Sequence, residues 1–143
     1  MSTYALDKLL ELRRKAEDDA ALELGRATAA AAAALAGQQA LKRDAAVARV
    51  AWEKERATAG DQEAAVDVLA RHRFVSRLAA AAAYRQRQAD GHRVTVLEPA
   101  SRSEASARQA YAAARQDRQA VDRHLERQRT ADRLTVERRN EET

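Results

Sequence analysis

Apolar residues in the first part of the chain recur at alternating steps of three and four residues. This spacing places them on one face of an α-helix and is typical of a coiled-coil seam. From position 24 onward the seam consists of Leu24, Ala27, Ala31, Ala34, Gln38, Leu41, Ala45, Ala48 and Trp52. Only Gln38 is polar, so the pattern predicts one long helix from about residue 3 to residue 59, whose apolar face needs a partner.

Upstream of Leu24 the apolar spacing changes. Leu9, Leu12, Ala16, Ala20 and Leu24 are separated by steps of three, four, four and four residues. Consecutive steps of four predict a stutter, which locally unwinds the supercoil of a coiled coil.

Two short segments interrupt the helical pattern. Gly60 and Asp61 predict a turn at about residues 60–61, because Gly is favoured just after a helix and Asp as the cap of the next one. A second helix is predicted over residues 62–140, kinked or broken at residues 90–101, where Pro99 removes a backbone donor. Its seam is predicted to consist of Val68, Val75, Leu78, Ala82, Ala89, Ala107, Tyr111, Ala114, Val121 and Leu125.

A short turn between two long helices makes them antiparallel neighbours. The predicted fold is therefore all-α: a long antiparallel two-helix coiled-coil hairpin, forming a single domain of residues 1–143. Composition agrees, since 34% of the residues are charged and 3% are aromatic, which favours long helices over a sheet. Past Leu125 the seam becomes polar at Gln128, Asp132 and Thr135, so we expect this end to fray or to contact another protein.

No arrangement of residues in the sequence predicts catalysis. His72, His92 and His124 are far apart and lack a second ligand at metal-binding spacing. We therefore expect solvated histidines on helix faces and no bound metal. The sequence contains no glycine-rich phosphate loop, and a two-helix rod offers no pocket. We expect no enzymatic activity and no cofactor.

Charge and cysteine content limit the choice of partners. The net charge is +4, and both signs are interleaved along the chain. The two basic stripes consist of Arg71, Arg73 and Arg77 and of Arg123, Arg127, Arg129 and Arg133. Phosphate binding needs a face of one sign, and acidic residues interrupt the second stripe, so an ion-paired helix surface or a protein contact is favoured over nucleic acid. The absence of Cys fits a reducing compartment, and the Ala-rich stretch 27–36 is too short for a membrane span.

Three segments of the chain carry a resemblance to a known family. Residues 6–18 are LDKLLELRRKAED, residues 113–127 are AARQDRQAVDRHLER, and residues 137–142 are ERRNEE. They resemble the opening Leu pair with L-R-x-x-x-E, the A-R-x-E-R-x-x-x-E-x-L-x-E-R helix and the closing R-x-E-Q stretch of the FliJ/YscO family. Its members are coiled-coil stalk proteins of flagellar and virulence type III secretion export ATPases. The chain departs from this pattern at Pro99, at Asp122 and at residues 140–141.

The resemblance implies a non-enzymatic central stalk that couples the hexameric export ATPase to the cytoplasmic domain of a membrane export-gate protein and can hold export chaperones. By likeness, the two chain ends enter the ATPase ring and the tip half faces the gate. The implied ATPase-ring set is Leu9, Arg13, Arg118, Arg123, Leu125 and Arg127. The implied export-gate set is Gln38, Leu41, Phe74, Leu78 and Ala81, to which we add Trp52.

Alternatives stay open at this stage. Phe74 and Leu78 fit a plain hairpin core as well as a contact surface, although Phe74 lies one position off the seam and can project outward. The whole chain can also be a generic self-associating structural coiled coil or, less favoured, an Arg-rich nucleic-acid-associated protein. The resemblance implies a cytoplasmic protein at the periphery of the inner-membrane secretion apparatus, monomeric on its own and without membrane insertion.

Overall fold

The protein is all-α in a computed structural model that describes residues 2–58 and 65–142. Helix α1 spans Thr3–Ala57 and helix α2 spans Ala65–His92, followed by a π-helical turn at Arg93–Leu97 and by helix α3 over Glu98–Glu141. The predicted fold class and the start of the first helix are confirmed. The predicted turn at residues 60–61 lies outside the described residues.

The chain divides into two compact units. The end unit comprises Met1–Thr28 and Ser103–Thr143, and the middle unit comprises Ala29–Arg102. In the end unit Asp7 contacts Arg129 and Glu17 contacts Arg118. In the middle unit Gln38 contacts Ala89, and Glu55 near the end of α1 contacts Arg71. As the residue number rises along α1, the number of the contacting residue on the other helix falls. The predicted antiparallel packing is therefore confirmed within each unit.

The core of the end unit is a small aliphatic cluster. Leu6, Leu10 and Leu125 are 2%, 6% and 2% exposed, and Val121 packs against them. This register contradicts the predicted stutter, because Leu12 is 65% exposed and Ala16 also faces solvent. The seam of α1 instead continues the regular heptad spacing through Leu10, Glu17, Ala20 and Leu24. The prediction of a stutter was wrong because the charged residue Glu17 occupies a seam position.

The core of the middle unit consists mainly of alanine. Every seam position predicted for α1 from residue 31 to residue 52 is buried or half-buried. Among the described residues of this unit, the buried ones are Ala31, Ala34, Gln38, Ala45 and Ala89. On α2 the predicted positions Val75, Leu78 and Ala82 are half-buried, but Val68 is 49% exposed and does not belong to the seam.

The irregularity predicted at residues 90–101 is a kink made by the π turn. Pro99 has no N–H to donate, and the N–H of Glu98 bonds to the carbonyl of Arg93, five residues earlier. The Thr95 hydroxyl donates to the carbonyl of Gly91 at 2.8 Å. The half-buried positions His92 and Leu97 are five residues apart. The π turn therefore absorbs one extra residue without breaking the helix.

The termini of α1 are capped by local side chains. The N–H of Ala5 donates to the hydroxyl of Ser2 at 3.3 Å, which satisfies one of the unpaired donors of the first turn. At the other end, the Thr58 hydroxyl lies 3.2 Å from the carbonyl oxygen of Lys54 and 3.1 Å from that of Glu55. None of the helices within residues 2–58 and 65–142 has the length and hydrophobicity that a membrane span requires.

Candidate functional site

The candidate sites in the described part of the chain are shallow depressions and polar clusters on the helix pairs. No group of three or more His, Asp or Glu side chains within residues 2–58 and 65–142 is placed to hold a metal ion. One shallow depression of about 450 Å³ lies in the end unit, lined by Arg123, Glu126, Arg127 and Thr130. The expectations of no catalysis and no bound metal stay predictions.

A charged layer crosses the seam of the end unit. Arg118 binds Glu17 through two hydrogen bonds, with Nε 2.6 Å from Oε2 and Nη2 3.3 Å from Oε1. Its Nη1 also donates to Asp122 Oδ2 at 2.9 Å. The side chains of Arg118 and Glu17 are only 25% and 15% exposed. Such a two-pronged arginine–carboxylate pair fixes both distance and orientation.

This layer changes the acid–base properties of its members. The hydrogen bond from Arg118 holds the pKa of the Glu17 carboxyl below its ordinary value of 4.5. The hydrogen bonds to Glu17 and then to Asp122 raise the pKa of the Arg118 guanidinium. Each shift favours the charged form, so the pair is ionised throughout the physiological pH range.

Three more ion pairs join α1 to α3 near this layer. Arg13 lies 3.7 Å from Asp117, Arg14 lies 3.8 Å from Asp122, and Arg129 lies 3.2 Å from Asp7. Their side chains are 29–61% exposed, so each pair contributes little to stability by itself. In the observed antiparallel register all three pairs bring unlike charges together.

The ATPase-ring set is divided between packing and surface positions. Leu125 is buried, Arg118 belongs to the charged layer, and Leu9 is half-buried. Arg13 is half-exposed and paired with Asp117. Only Arg123 and Arg127 are both exposed and outside the ion pairs between the helices, and the Arg127 side chain bonds to the Arg123 carbonyl at 3.3 Å. These two residues are the accessible members of the set.

A polar layer of an amide, an imidazole and a backbone carbonyl crosses the seam of the middle unit. Gln38 is 3% exposed, and its Nε2 donates to the carbonyl of Ala89 at 3.0 Å. Its Oε1 lies 2.8 Å from Nδ1 of His92. Because the amide oxygen can only accept, Nδ1 must carry the proton. A Cβ on Gly37 would lie 3.2 Å from Nε2 of His92, so the absence of a side chain there makes room for the ring.

The layer corrects the prediction that His92 is a solvated histidine. Gln38 was identified from the sequence as a polar residue in the seam of α1, but His92 was not identified as its partner. The two residues are 54 positions apart, and no spacing rule connects residues on different helices.

The export-gate set does not form one patch. Gln38 is buried in the polar layer, whereas Leu41, Trp52 and Leu78 are half-buried. Phe74 is 43% exposed and Ala81 also faces solvent. Gln38 and Trp52 are fourteen residues apart on one helix, or about 21 Å at 1.5 Å per residue. Phe74 is therefore the accessible large member of the set.

The C-terminal end of α1 is held by arginine side chains. The guanidinium of Arg56 lies 4.9 Å from the centre of the Trp52 ring, a cation–π distance. Nη2 of Arg71 donates to the Thr58 hydroxyl at 2.6 Å and lies 3.5 Å from the carbonyl oxygen of Glu55. A cation is favourable at a helix C-terminus. Arg71 thus has a local structural role in addition to the basic stripe in which the sequence placed it.

The excess of positive over negative charge lies in one unit. Residues 29–102 contain twelve Lys or Arg and eight Asp or Glu, whereas the rest of the chain contains fourteen of each. The whole net charge of +4 therefore belongs to the middle unit. From the sequence, both signs were found interleaved along the chain, and this division was missed because the end unit is assembled from both ends of the chain.

Comparison of the chain with protein-family models, with curated proteins and with solved structures finds no match. The established description is an all-α arrangement of antiparallel helix pairs. The FliJ/YscO resemblance stays a prediction.

Proposed function

We propose that this protein is a non-enzymatic stalk of a type III secretion export apparatus, flagellar or virulence-type. In this role it links a hexameric export ATPase to the cytoplasmic domain of an export-gate protein and can hold export chaperones. It acts at the periphery of the membrane apparatus without inserting into the bilayer.

One observation carries the proposal. The two longest segments that resemble the FliJ/YscO family, residues 6–18 and 113–127, pack against each other in the end unit. Leu6 and Leu10 meet Leu125, and Glu17 binds Arg118 across 101 positions of sequence. Residues that carry the resemblance are therefore the ones that hold the helix pair together, which supports a shared architecture rather than a chance match of composition.

The structure suggests which residues can contact each partner. In the end unit, Arg123 and Arg127 are exposed and can meet carboxylates of the ATPase ring. In the middle unit, Phe74 is an exposed aromatic in a chain with few aromatics, and such side chains are common anchors of protein interfaces. Exposed side chains of both signs are suited to loose and exchangeable contacts.

The test is capture of the cognate export ATPase by the purified protein. The wild type is expected to retain the ATPase, and R123Q/R127Q is expected to retain roughly tenfold less, because two exposed charges are lost from the contact. R133Q/R138Q is the matched control: it removes two exposed arginines from the same helix and should retain the ATPase normally. Failure of the wild type to capture the ATPase would reject the stalk role.

The gate contact is tested separately with Phe74→Ala. Binding to the cytoplasmic domain of the gate protein should weaken while helicity stays unchanged, since Phe74 is 43% exposed. Leu78→Ala is the contrast, because Leu78 is half-buried in the seam and its truncation should lower helicity as well. A sharp fall in the helicity of Phe74→Ala would place Phe74 in the core and remove it from the gate contact.

A self-associating structural coiled coil is the second candidate. Several aliphatic side chains of α1 are exposed, including Leu22 at 62%, Val47 at 70% and Val50 at 57%, and they can pack against another copy. Light scattering separates the two functions: a stalk stays monomeric on dilution, whereas this candidate forms a concentration-dependent oligomer that does not capture the ATPase.

A further inference from the structure

One face of α2 points away from the seam and carries a distinctive set of residues. The seam side of α2 includes Val75, Leu78, Ala82 and Ala89. At 100° per residue, the opposite side is a stripe that we call the outer stripe. It consists of Val66, Leu69, Arg73, Arg77, Tyr84 and Arg87, all of them exposed. The stripe is about 30 Å long at 1.5 Å per residue.

The outer stripe has a single sign of charge. Between Asp67 and Asp90 the sequence contains five arginines and no acidic residue. Within the described residues, Arg73, Arg77 and Arg87 have no ion-pair partner. The end unit is the opposite case, since most of its arginines near the seam are paired with carboxylates. The charges of the outer stripe are therefore available to another molecule.

Local geometry on the stripe suits a carboxylate. Arg73 and Arg77 border a shallow depression of about 580 Å³ that is also lined by Ala70, His72 and Ser76. The side chains of Arg73, Arg77 and Ser76 carry donors that suit an anionic oxygen. Further along, the Tyr84 hydroxyl accepts a hydrogen bond from Gln88 at 2.8 Å, which orients the ring along the helix.

We propose that the outer stripe of α2 is a docking surface for an acidic amphipathic helix of a partner protein. Arg73, Arg77 and Arg87 receive its carboxylates, and the apolar side chains of the stripe receive its aliphatic residues. This inference goes beyond the stalk function, because it names the chemistry of the partner and holds whichever machine the protein serves.

The composition of the stripe favours a polypeptide over a nucleic acid. Val66 is 77% exposed and Leu69 is 60% exposed, and a phosphate backbone would leave both of them in water. Successive stripe residues are separated by three, four or seven positions. A second helix that packs along α2 presents its side chains at matching intervals.

The experiment uses the full chain and a fluorescent helical peptide of about 20 residues built from Glu, Leu and Ala, which matches the roughly 30 Å of the stripe. Fluorescence anisotropy measures its dissociation constant. The wild type should bind this peptide and not the same peptide with every Glu replaced by Gln. R73Q/R77Q/R87Q should weaken binding about tenfold, because three exposed charge contacts are removed.

The matched control is R85Q/R93Q/R102Q, which removes the same charge from exposed arginines of the middle unit outside the stripe. It should bind the acidic peptide within about twofold of the wild type. An equal loss in both triple variants would show that only net charge matters and would overturn the proposal. Binding of the Gln peptide with equal affinity would also overturn it, as would tighter binding of an oligonucleotide of the same length.

The outcome is independent of the secretion role, since the probe contains no export protein. Loss of ATPase capture with intact peptide binding would reject the stalk and keep the docking surface. Normal ATPase capture with no peptide binding would reject the docking surface alone.

Discussion

The two units of this protein use the same antiparallel helix packing with opposite chemistry. The two helices of the end unit pack through leucines and through charged side chains. The leucines are Leu6, Leu10 and Leu125, and the charged pair is Glu17 and Arg118. The two helices of the middle unit pack through alanines and through a polar layer of amide, imidazole and backbone carbonyl. The end unit carries no net charge, whereas the middle unit carries the whole excess of positive charge.

This difference shows two ways of setting the register of an almost featureless helix pair. Small or repetitive apolar residues pack nearly as well after a shift of one heptad, so they specify alignment poorly. A buried polar residue destabilises the fold unless its hydrogen-bond partner lies opposite it on the other helix. Each unit has such a layer among its described residues: an ion pair in the end unit, and an amide, an imidazole and a backbone carbonyl in the middle unit.

The largest effect should come from the leucine cluster. Leu6→Ala removes a side chain that is 2% exposed and should lower the free energy of unfolding by about 2–5 kcal/mol. Urea denaturation followed by circular dichroism measures this change. Leu12→Ala on the same helix is the control, because Leu12 is 65% exposed and its truncation should change stability by less than about 0.5 kcal/mol. Equal losses in the two variants would contradict the register.

The polar layer of the middle unit should give the next effect. Gln38→Ala leaves the Ala89 carbonyl and the His92 ring without their partner, which should cost about 1–3 kcal/mol. Hydrogen exchange should locate the loss in the middle unit, with faster exchange of amides around residues 38 and 89–92. Gln39→Ala alters a neighbouring exposed glutamine and should change neither quantity. Protection that falls only in the end unit would refute this assignment.

Acid should weaken the charged layer of the end unit. The pKa of Glu17 is lower in the folded protein than its ordinary value of 4.5, so ionised Glu17 stabilises the fold above that pH. This contribution is lost as the pH falls from about 4.5 through the lower folded pKa. Urea midpoints at about pH 7 and about pH 3 should differ less in Glu17→Gln than in the wild type.

Glu23→Gln is the control for this pH dependence. Glu23 pairs with Arg26 on the same exposed helix face, so its variant should keep the pH response of the wild type. If Glu17→Gln and Glu23→Gln respond to acid alike, the bond between Glu17 and Arg118 does not govern the response.

The smallest effect should come from two glycines of α1. A Cβ on Gly25 meets no atom within 4 Å, so Gly25→Ala should stabilise the helix by about 0.5–1 kcal/mol. A Cβ on Gly37 would lie 3.2 Å from Nε2 of His92, and Gly37→Ala should therefore be neutral or destabilising. Thermal melts compare the two variants. An equal gain at both positions would mean that the His92 ring moves aside at no cost.

Much of the fold could be predicted from local sequence rules. The steps of three and four residues from Leu24 to Trp52 identified a seam that is buried or half-buried throughout. Pro99 correctly marked the irregular segment, because a missing N–H disturbs a helix wherever it lies. The sequence also placed Phe74 off the seam, and the structure leaves it 43% exposed.

Other predictions depended on residues that local rules treat as surface. No packing role was predicted for Glu17, and Arg118 was placed in the ATPase-ring set, yet both residues occupy seam positions. Leaving Glu17 out of the seam displaced the predicted register to Leu12 and Ala16. His92 was likewise assigned to a solvated face. The excess charge of the middle unit was hidden because the units are not continuous in sequence.

The sequence by itself determined the helices, because helix propensity, heptad spacing and the position of Pro99 are properties of neighbouring residues. Only the tertiary structure decided which polar residues lie inside, that the extra residue near Pro99 is absorbed in a π turn, and which face of α2 stays open. These features depend on a partner 101 positions away for Glu17 and 54 positions away for Gln38. Whether a polar side chain in a helix faces water or a partner is settled by the opposite helix and not by its own neighbours.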